Sequence, residues 1–307
     1  MLKNKHVAVV MGGWHSEREV SLRSGEAVYN ALLELGYKAT KIDFDRNIVD
    51  RLKEIKPDVV FNALHGDHGE DGRIQGLLDI LNIPYTHSGI VASSISMDKV
   101  LTGIICSTVG VKSPALKTIN KGDNQNNKKI IFEEIGKPFV IKPIDEGSSI
   151  GVEVILEDTP FDIEKYEWKY GDKMIVQKYI AGSEIQVAIM DNKALGAIEV
   201  RPKKLFYDYE CKYTAGMTDY IMPAEIAADK YKEVLDLGLR AHQILGCSGV
   251  SRVDFILDKK TNEFFFLEIN THPGFTATSL VPKIAKHSGI SFNEIVEYLV
   301  KNAKCGV

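Results

Sequence analysis

Residues 250–270, VSRVDFILDKKTNEFFFLEIN, decide the fold of the second half of the chain. Two apolar runs flank the turn-like segment 258–262, and this pattern predicts a β-hairpin with a loop of about five residues. Pairing Asp258 with Phe264 would fix the register of the two strands. The side chains that this register lets the hairpin bury are Val253, Phe255 and Leu257, then Phe265, Leu267 and Ile269.

The other face of the same hairpin is polar. Side chains alternate between the faces of a strand, so Arg252 and Asp254 share one face, and Glu268 and Asn270 share one on the partner strand. The predicted register sets Asp254 opposite Glu268. Two carboxylates and an amide oxygen suit Mg²⁺, and an arginine beside them can bind phosphate. Taken alone, the pattern also fits a solvated strand face with charge pairs, and a register slip of one residue would remove the site.

A second candidate segment lies at 139–151. The buried strand 139–142 ends on Lys142, and a turn containing Gly147 and Ser148 follows it. An ammonium group with backbone N–H and hydroxyl donors can hold phosphate. Alone, the segment also fits an ordinary hairpin turn. Neither a Walker A loop nor a Gly-x-Gly-x-x-Gly fingerprint occurs in the chain.

The glycine-rich loop at 63–72 contains His65 and His68 among acidic residues. Their spacing matches no common zinc pattern, and no cysteine lies near. Because the loop follows a predicted parallel strand, contact with a substrate is the favoured interpretation.

The first third of the chain alternates strands with helices, which is typical of a doubly wound parallel sheet and an α/β fold. The predicted strands are 6–11, 38–44 and 58–64, and the predicted helices are 17–35 and 69–81. Gly12 and Gly13 directly follow the first strand, where ligands bind such sheets.

The pattern changes after a predicted connecting helix, Met97–Gly110. Strands then dominate, at 139–142, 151–156, 173–180, 184–190 and 194–200. Residues 203–219 form a long aromatic, irregular segment, and a loop of that length is usually functional. Helices are predicted at 231–245 and 291–301.

Composition excludes several classes of function. A chain of 307 residues predicts two or three domains. A net charge of -4 without a Lys/Arg run argues against nucleic-acid binding. The longest apolar runs are strand-sized, so neither a membrane span nor a signal peptide is expected. The four scattered cysteines predict free thiols and a cytoplasmic protein.

Taken together and in order, these segments resemble the D-alanine–D-alanine ligase family, which has the ATP-grasp fold. The segments that carry the resemblance are Gly12-Gly13, Ser16–Ser21, Leu64–Gly66, Gly69–Gly72, Gln75-Gly76, Pro84–Thr86, Ser88-Gly89, Ser96–Lys99, Lys142-Pro143, Glu146–Ser149, Phe206–Glu210, Lys212-Tyr213, Arg252–Asp254, Leu267–Thr271, Pro273-Gly274 and Ser279–Pro282. The resemblance implies an N-terminal Rossmann-like substrate domain at 1–96, a central ATP-grasp subdomain at 97–182, and a C-terminal ATP-grasp subdomain at 183–307 with the metal site and lid. It implies α+β architecture in the ATP-binding part.

The resemblance also implies where ATP and metal ions bind. Lys99, Lys142 and Lys212 would contact the phosphates, and Glu184 the ribose. The implied ligands of two Mg²⁺ ions, with Mn²⁺ as a substitute, are Asp254, Glu268 and Asn270. A requirement for K⁺ is left open.

For the amino-acid substrates, the resemblance implies two subsites. Glu17 would bind the ammonium of the first D-alanine, with His65 near its carboxylate. Ser279 and the Leu280 N–H would bind the carboxylate of the second. The residues implied to stabilise the oxyanion are Arg252 and Gly274, and those implied to form a network with Glu17 are Ser148 and Tyr213.

The implied reaction joins two D-alanine molecules through an acyl phosphate, releasing ADP and phosphate, for peptidoglycan precursor synthesis. A homodimer in the cytoplasm is also implied. Residues 203–219 would close over the site, because water would hydrolyse the intermediate. Three positions depart from the pattern of relatives: Gln177, His272 and the pair Trp14-His15.

Two other functions stay open. A D-alanine–D-lactate ligase would share the fold, although Tyr213 is associated with amine acceptors in this family. A non-catalytic ATP-binding regulator would be expected to have lost part of the metal set, which is intact in this sequence.

Overall fold

The computed structural model describes residues 5–144, 147, 149–204, 211, 214 and 216–306. The strands are β1 (His6–Met11), β2 (Lys38–Asp43), β3 (Val59–Asn62), β4 (Leu116–Asn120), β5 (Phe139–Pro143), β6 (Glu153–Ile155), β7 (Lys173–Lys178), β8 (Gly182–Met190), β9 (Lys193–Pro202), β10 (Thr218–Ile221), β11 (Val250–Asp258) and β12 (Phe264–Asn270). The helices are α1 (Arg18–Glu34), α2 (Ile48–Ile55), α3 (Arg73–Ile80), α4 (Ile90–Met97), α5 (Lys99–Ser107), α6 (Asn124–Lys129), α7 (Ala228–Ile244), α8 (Leu280–His287) and α9 (Phe292–Lys301). A π-helical turn, Ile130–Ile135, continues α6, and a 3-10 turn covers Ile163–Lys165.

The first sheet is parallel, with strand order β2-β1-β3. Its central strand β1 is apolar and buried over Val7–Met11. A continuous apolar run of this kind is expected where helices cover both faces of a parallel sheet. The predicted α/β organisation of the first third is therefore confirmed.

A helix from the far end of the chain completes the core of this sheet. Ile295 and Leu299 of α9 belong to the same buried cluster as Val7 of β1 and Leu32 of α1. Beyond α9, Lys304 pairs with Tyr85 in an isolated antiparallel bridge. The N-terminal sheet thus depends for its core on residues nearly 300 positions later in the chain.

Two antiparallel sheets form the remainder of the fold. One has strand order β4-β7-β5-β6, and the other has order β10-β9-β8-β11-β12, with α7 packed on β8, β9 and β11. Each sheet has its own buried cluster. The three sheets fall almost entirely within the three predicted segments of the chain, whose boundaries stay a prediction. The mixed α/β class with a parallel N-terminal sheet is as expected.

The connecting helix predicted at Met97–Gly110 is not one helix. Helix α4 ends at Met97 and α5 begins at Lys99, with a bend of 107° between them. The Asp98 carboxylate caps α5 by accepting hydrogen bonds from the N–H groups of Val100 and Leu101, both at 2.9 Å. Aspartate is a preferred N-cap residue, so the break has a local cause. Within the described residues, no single helix is long and apolar enough to span a membrane. The bent pair of α4 and α5 is long and apolar enough only when its two helices are counted together.

The hairpin of β11 and β12 contains an irregularity that the sequence did not reveal. Leu257 pairs with Phe264, one position off the predicted pairing with Asp258, and the register shifts between Asp254 and Phe255. The shift restores the predicted pairs of Asp254 with Glu268 and of Arg252 with Asn270. It also changes which β12 side chains are buried. Phe264 and Phe266 are buried in place of the predicted Phe265 and Leu267. A β-bulge of this kind re-aims side chains beside a functional site.

Candidate active site

The polar face of the hairpin places acidic and basic groups in direct contact. Arg252 donates two hydrogen bonds to the buried Asp254 carboxylate, at 2.8 and 2.7 Å. The Asn270 side-chain amide lies 3.4 Å from the same carboxylate. Glu268 lies across from Asp254, and its Oε2 is 3.7 Å from Nζ of Lys99. The predicted metal ligands are therefore neighbours on one surface.

The chemistry of this donor set fits Mg²⁺. Mg²⁺ takes a few carboxylate ligands from protein and completes its shell with water and phosphate oxygens. Asp254, Glu268 and Asn270 supply two carboxylates and an amide oxygen. Among the described residues there is no cluster of three His, Cys, Asp or Glu side chains that could hold a metal ion, so the proposed set depends on the amide oxygen of Asn270 as its third ligand.

Two lysines face this acidic group. Lys99 stands at the first position of α5, which the break at Asp98 directs toward the hairpin, and its Nζ is 3.4 Å from the Ile144 carbonyl oxygen. Lys142 near the end of β5 is buried. Burial, assisted by the charge of Lys99, lowers the pKa of Lys142 to about 8, although Glu268 acts in the opposite direction. An anionic ligand would therefore be bound strongly at this point, because it would relieve a buried positive charge.

A narrow slot of about 170 Å³ opens between the two antiparallel sheets and ends at these lysines. The aliphatic side chains and prolines that line it are Pro114, Val140, Pro143, Ile150, Val152, Val154, Ile180, Ile256 and Leu267. Glu184 lines the slot and accepts a hydrogen bond from Gln186 at 2.7 Å. Gln177, one of the three positions that depart from the pattern of relatives, lines the slot as well. Flat apolar walls with polar groups at the rim suit a nucleobase and its ribose.

A wider cleft of about 500 Å³ lies on the other side of Glu268. The predicted residues that line it are Glu17, His65, Arg252, Glu268, Asn270, Gly274, Ser279 and Leu280. The other predicted residues with described positions line the slot: Lys99, Lys142, Glu184 and Asp254. Ser148, Lys212 and Tyr213 lie outside the described residues, as does most of 205–215 within the predicted lid.

Glycines bring the backbone close to the buried carboxylate of Glu17. A side chain at Gly66 or at Gly147 would come within 3.0 Å of Oε2 of Glu17. Gly66 also has a φ of 64°, a conformation that suits glycine. The loops after β3 and β5 can therefore both approach Glu17, which sits at the entry to α1.

His65 is paired with Glu70, a residue to which the sequence analysis gave no role. The His65 Nδ1 lies 3.3 Å from Oε1 of Glu70. Burial alone would lower the pKa of His65, but the hydrogen bond and charge of Glu70 outweigh it and raise that pKa. Burial also raises the pKa of Glu70. The His65–Glu70 pair therefore retains a proton beside the cleft. In the sequence, the signal for this pair was a histidine and a glutamate five positions apart within one glycine-rich loop.

The far wall of the cleft is a hydroxyl-rich turn that leads into α8. The Ser279 Oγ accepts a hydrogen bond from the Thr276 N–H at 3.0 Å and lies 2.9 Å from the Thr276 hydroxyl. A side chain on Gly274 would come within 3.3 Å of this Oγ. Leu280 is the first residue of α8, and N–H groups at a helix start attract carboxylates.

His272, one of the departures noted in the sequence, is buried where the first and third sheets meet. Its Nε2 accepts a hydrogen bond from the Asn62 side-chain amide at 3.0 Å. Burial, with the charges of His87 and His65, holds the pKa of His272 well below its ordinary value. The ring is therefore a neutral link between the ends of β3 and β12.

Comparisons with known proteins agree with this architecture. The profile of the family described as "D-ala D-ala ligase C-terminus" matches residues 105–301, and that of "D-ala D-ala ligase N-terminus" matches residues 47–88. The chain is 49% identical to D-alanine–D-alanine ligase of Rickettsia bellii over 97% of its own length and 92% of the relative. It is 46% identical to that of Rickettsia rickettsii with the same coverage.

Solved structures give the same assignment. The D-alanine–D-alanine ligase of Bacillus anthracis complexed with ATP superposes with a TM-score of 0.81 at 28% identity, covering 97% of this chain and 96% of that one. The VanG D-Ala:D-Ser ligase of Enterococcus faecalis gives a TM-score of 0.82 at 28% identity, covering 97% and 99%. On these matches and on the geometry of the two clefts, the chain belongs to the D-alanine–D-alanine ligase family.

Proposed function

We propose that this protein ligates two D-alanine molecules into D-alanyl-D-alanine for peptidoglycan precursor synthesis, with ATP converted to ADP and phosphate. The observation that carries the proposal is the meeting of the two clefts at Glu268, which lines both. A nucleotide in the slot would present its terminal phosphate to an amino acid in the wider cleft. A free carboxylate is a poor acyl donor, and its phosphorylation at this junction would activate it.

On the nucleotide side, the apolar walls would hold adenine and Glu184 would bind the ribose. Lys99 and Lys142 would bind the phosphates, joined by Lys212 from outside the described residues. Asp254, Glu268 and Asn270 would hold two Mg²⁺ ions, which Mn²⁺ could replace and which neutralise phosphate charge when bound.

On the donor side, Glu17 would bind the ammonium of the first D-alanine. The protonated pair of His65 and Glu70 would face its carboxylate. Arg252 and the N–H of Gly274 would stabilise the oxyanion that forms during transfer, because both line the cleft beside Glu268.

On the acceptor side, Ser279 and the N–H of Leu280 would bind the carboxylate of the second D-alanine. Two anions at 4 Å repel by about 4 kcal/mol at an effective dielectric constant of 20, which explains the crowding of cations. Ser148 and Tyr213, outside the described residues, would complete a hydrogen-bond network to Glu17. Residues 203–219 would close over the site and exclude water.

Analysis of the products after turnover tests the reaction. With ATP, Mg²⁺ and D-alanine, we expect ADP, phosphate and D-alanyl-D-alanine in equal amounts. Cleavage at the terminal phosphate is expected because Lys99, Lys142 and the proposed metal ligands lie together at the end of the slot. L-Alanine in place of D-alanine is the control and should yield little product. AMP and pyrophosphate as main products would contradict the mechanism, and nucleotide binding without any product would indicate a regulator instead.

Competition between acceptors tests specificity. D-Lactate and D-serine are each supplied with D-alanine, and the dipeptide or depsipeptide products are separated. We expect D-alanyl-D-alanine to dominate near neutral pH. A dominant D-alanyl-D-lactate product would assign the alternative ligase activity.

We further propose a cytoplasmic homodimer. Three consecutive helices that pack on one another, α3, α4 and α5, expose large apolar side chains: Ile80, Val91, Leu101 and Ile104. Exposed apolar side chains on neighbouring helices are a feature that protein interfaces share. Sedimentation tests this proposal: the unaltered chain should sediment as a dimer and Ile104→Glu as a monomer. An unaltered chain that is a monomer at all concentrations would refute the dimer.

A further inference from the structure

A fully buried serine connects the two walls of the wider cleft. Glu17, Ser21 and Ser24 are spaced so that they lie on one face of the α1 region. The Ser24 Oγ is 3.0 Å from Nε2 of His65 and accepts a hydrogen bond from the N–H of Phe275 at 3.2 Å. These partners are 41 and 251 residues away in the chain. Ser24 itself has no exposed surface.

The chemistry of a hydroxyl group suits both contacts at once. The His65 Nδ1 faces an oxygen of Glu70, to which it donates. The Ser24 hydroxyl can bond to Nε2 in either charge state of the ring, since it accepts from the Nε2–H of an imidazolium and donates to the Nε2 of a neutral imidazole. A lone pair of the same oxygen remains available for the N–H of Phe275. Glu70, His65 and Ser24 therefore form one chain that ends at the backbone beside Gly274.

We propose that Ser24 is a positioning residue that holds the His65 ring and the Gly274–Phe275 backbone in a fixed relation to each other. The inference rests on the proposed function, in which His65 faces the first D-alanine and Gly274 donates to the oxyanion. Ser24 touches neither substrate. It fixes the distance between the group that binds the donor and the group that stabilises the developing charge.

The contacts exclude the ordinary role of a helical serine. A serine within a helix commonly bonds to a carbonyl one turn earlier in the same helix. Both hydrogen bonds of Ser24 instead leave α1, one toward the loop after β3 and the other toward the loop after β12. Losing them would free two loops that both line the cleft and would also leave the buried Phe275 N–H without this acceptor.

The chain offers a matched control. Ser251 is also fully buried and its Oγ lies 2.7 Å from Nδ1 of a buried histidine, His242. Ser251 and its neighbour Arg252 point to opposite faces of β11, so the Ser251–His242 pair lies away from the cleft. Ser251→Ala therefore removes a buried serine–histidine hydrogen bond without altering the site.

The test compares Ser24→Ala, Ser24→Cys and Ser251→Ala in the full chain. We expect Ser24→Ala to lower kcat/KM for D-alanine about tenfold, the value of one or two buried hydrogen bonds, with changes in both kcat and KM. Ser24→Cys, which keeps the shape and a weak donor, should recover part of the loss. Ser251→Ala should lower the melting temperature comparably and leave kcat/KM within about twofold. Equal losses of activity in Ser24→Ala and Ser251→Ala would overturn the proposal.

A second measurement does not depend on ligation. Nitrogen-15 NMR of the imidazole rings reports the hydrogen bond at Nε2 of His65, and we expect that signal to move in Ser24→Ala but not in Ser251→Ala. An unchanged His65 signal would overturn the positioning role. If the unaltered chain forms no dipeptide, the proposed function fails, and the His65 signal still decides whether Ser24 holds the ring.

Discussion

The two clefts that meet at Glu268 are built in opposite ways. The wide cleft is lined by charged and hydroxyl side chains such as Glu17, His65 and Ser279, which come from loops at the ends of strands. The apolar side chains of the narrow slot come from strands β5, β6, β11 and β12 and from the turns beside them. Recognition of a flat apolar group is thereby separated from the handling of charge, and the two functions share a single carboxylate. Substitutions should therefore affect one cleft, the other, or both in a predictable order.

The largest loss of turnover is expected at Glu268, the residue that lines both clefts. Glu268→Gln keeps the shape but removes a charge from the proposed metal set, so turnover should fall about a hundredfold or more. Glu263→Gln makes the same chemical change at the turn of the same hairpin, where Glu263 pairs only with exposed Lys112 at 2.7 Å in the described contacts, and should have little effect. Steady-state kinetics at saturating Mg²⁺ measure both. Near-normal turnover of Glu268→Gln would remove the metal assignment.

An intermediate effect, on the affinity for ATP, is expected at Lys142, where the slot ends. With its pKa lowered to about 8 by burial and by Lys99, this lysine loses its proton as the pH rises above about 8. ATP affinity should then weaken by up to about tenfold per pH unit. Lys142→Arg stays protonated, so its ATP dissociation constant should vary less with pH, whatever its absolute value. Calorimetric titration from pH 7 to 9.5 measures both proteins, and parallel profiles would assign the pH dependence to another group.

The same pKa predicts an opposite trend in stability. The unfolded chain keeps the lysine proton up to a pKa near 10.5, whereas the folded chain releases it near 8. The unfolded state thus binds more protons over this interval, and the contribution of Lys142 to the free energy of unfolding rises with pH. Denaturant melts of the unaltered chain and of Lys142→Arg should therefore differ in slope between pH 8 and 10, and identical slopes would argue against the lowered pKa.

The smallest effect on the kinetics is expected for a substitution in the apolar wall of the slot. Val154→Ala removes part of one apolar contact and should raise KM for ATP about threefold to tenfold, while KM for D-alanine is unchanged. Glu153→Ala on the same strand replaces an exposed side chain and is the control. Equal rises in both KM values would mean that the two clefts are not functionally separate.

The difference between the clefts also explains what the sequence could predict. Charged residues such as Lys142 and Asp254 stand out within otherwise apolar strands, so the polar groups could be assigned in advance. Val140, Val154 and Leu267 could not, because an apolar strand residue that lines a slot has the same pattern as one in a core. Their position depends on how two sheets approach each other, which is not local information.

Two local features were missed for different reasons. The bulge between Asp254 and Phe255 could not be located, because any of three consecutive phenylalanines at 264–266 can occupy a buried position. The break at Asp98 could have been found, since an aspartate before an apolar periodic segment is a known helix start. It matters because it places Lys99 next to Glu268.

The contribution of α9 to the first core has a consequence for synthesis of the protein on the ribosome. The strands β1, β2 and β3 are translated well before Ile295 and Leu299, which belong to the same buried cluster as Val7. Until then, the nascent N-terminal segment keeps an apolar surface that attracts chaperones and other unfinished chains. Final folding of this unit therefore waits until α9 has been synthesised, and pulse-labelled chains stalled before Phe292 should remain sensitive to protease at the N-terminal sheet.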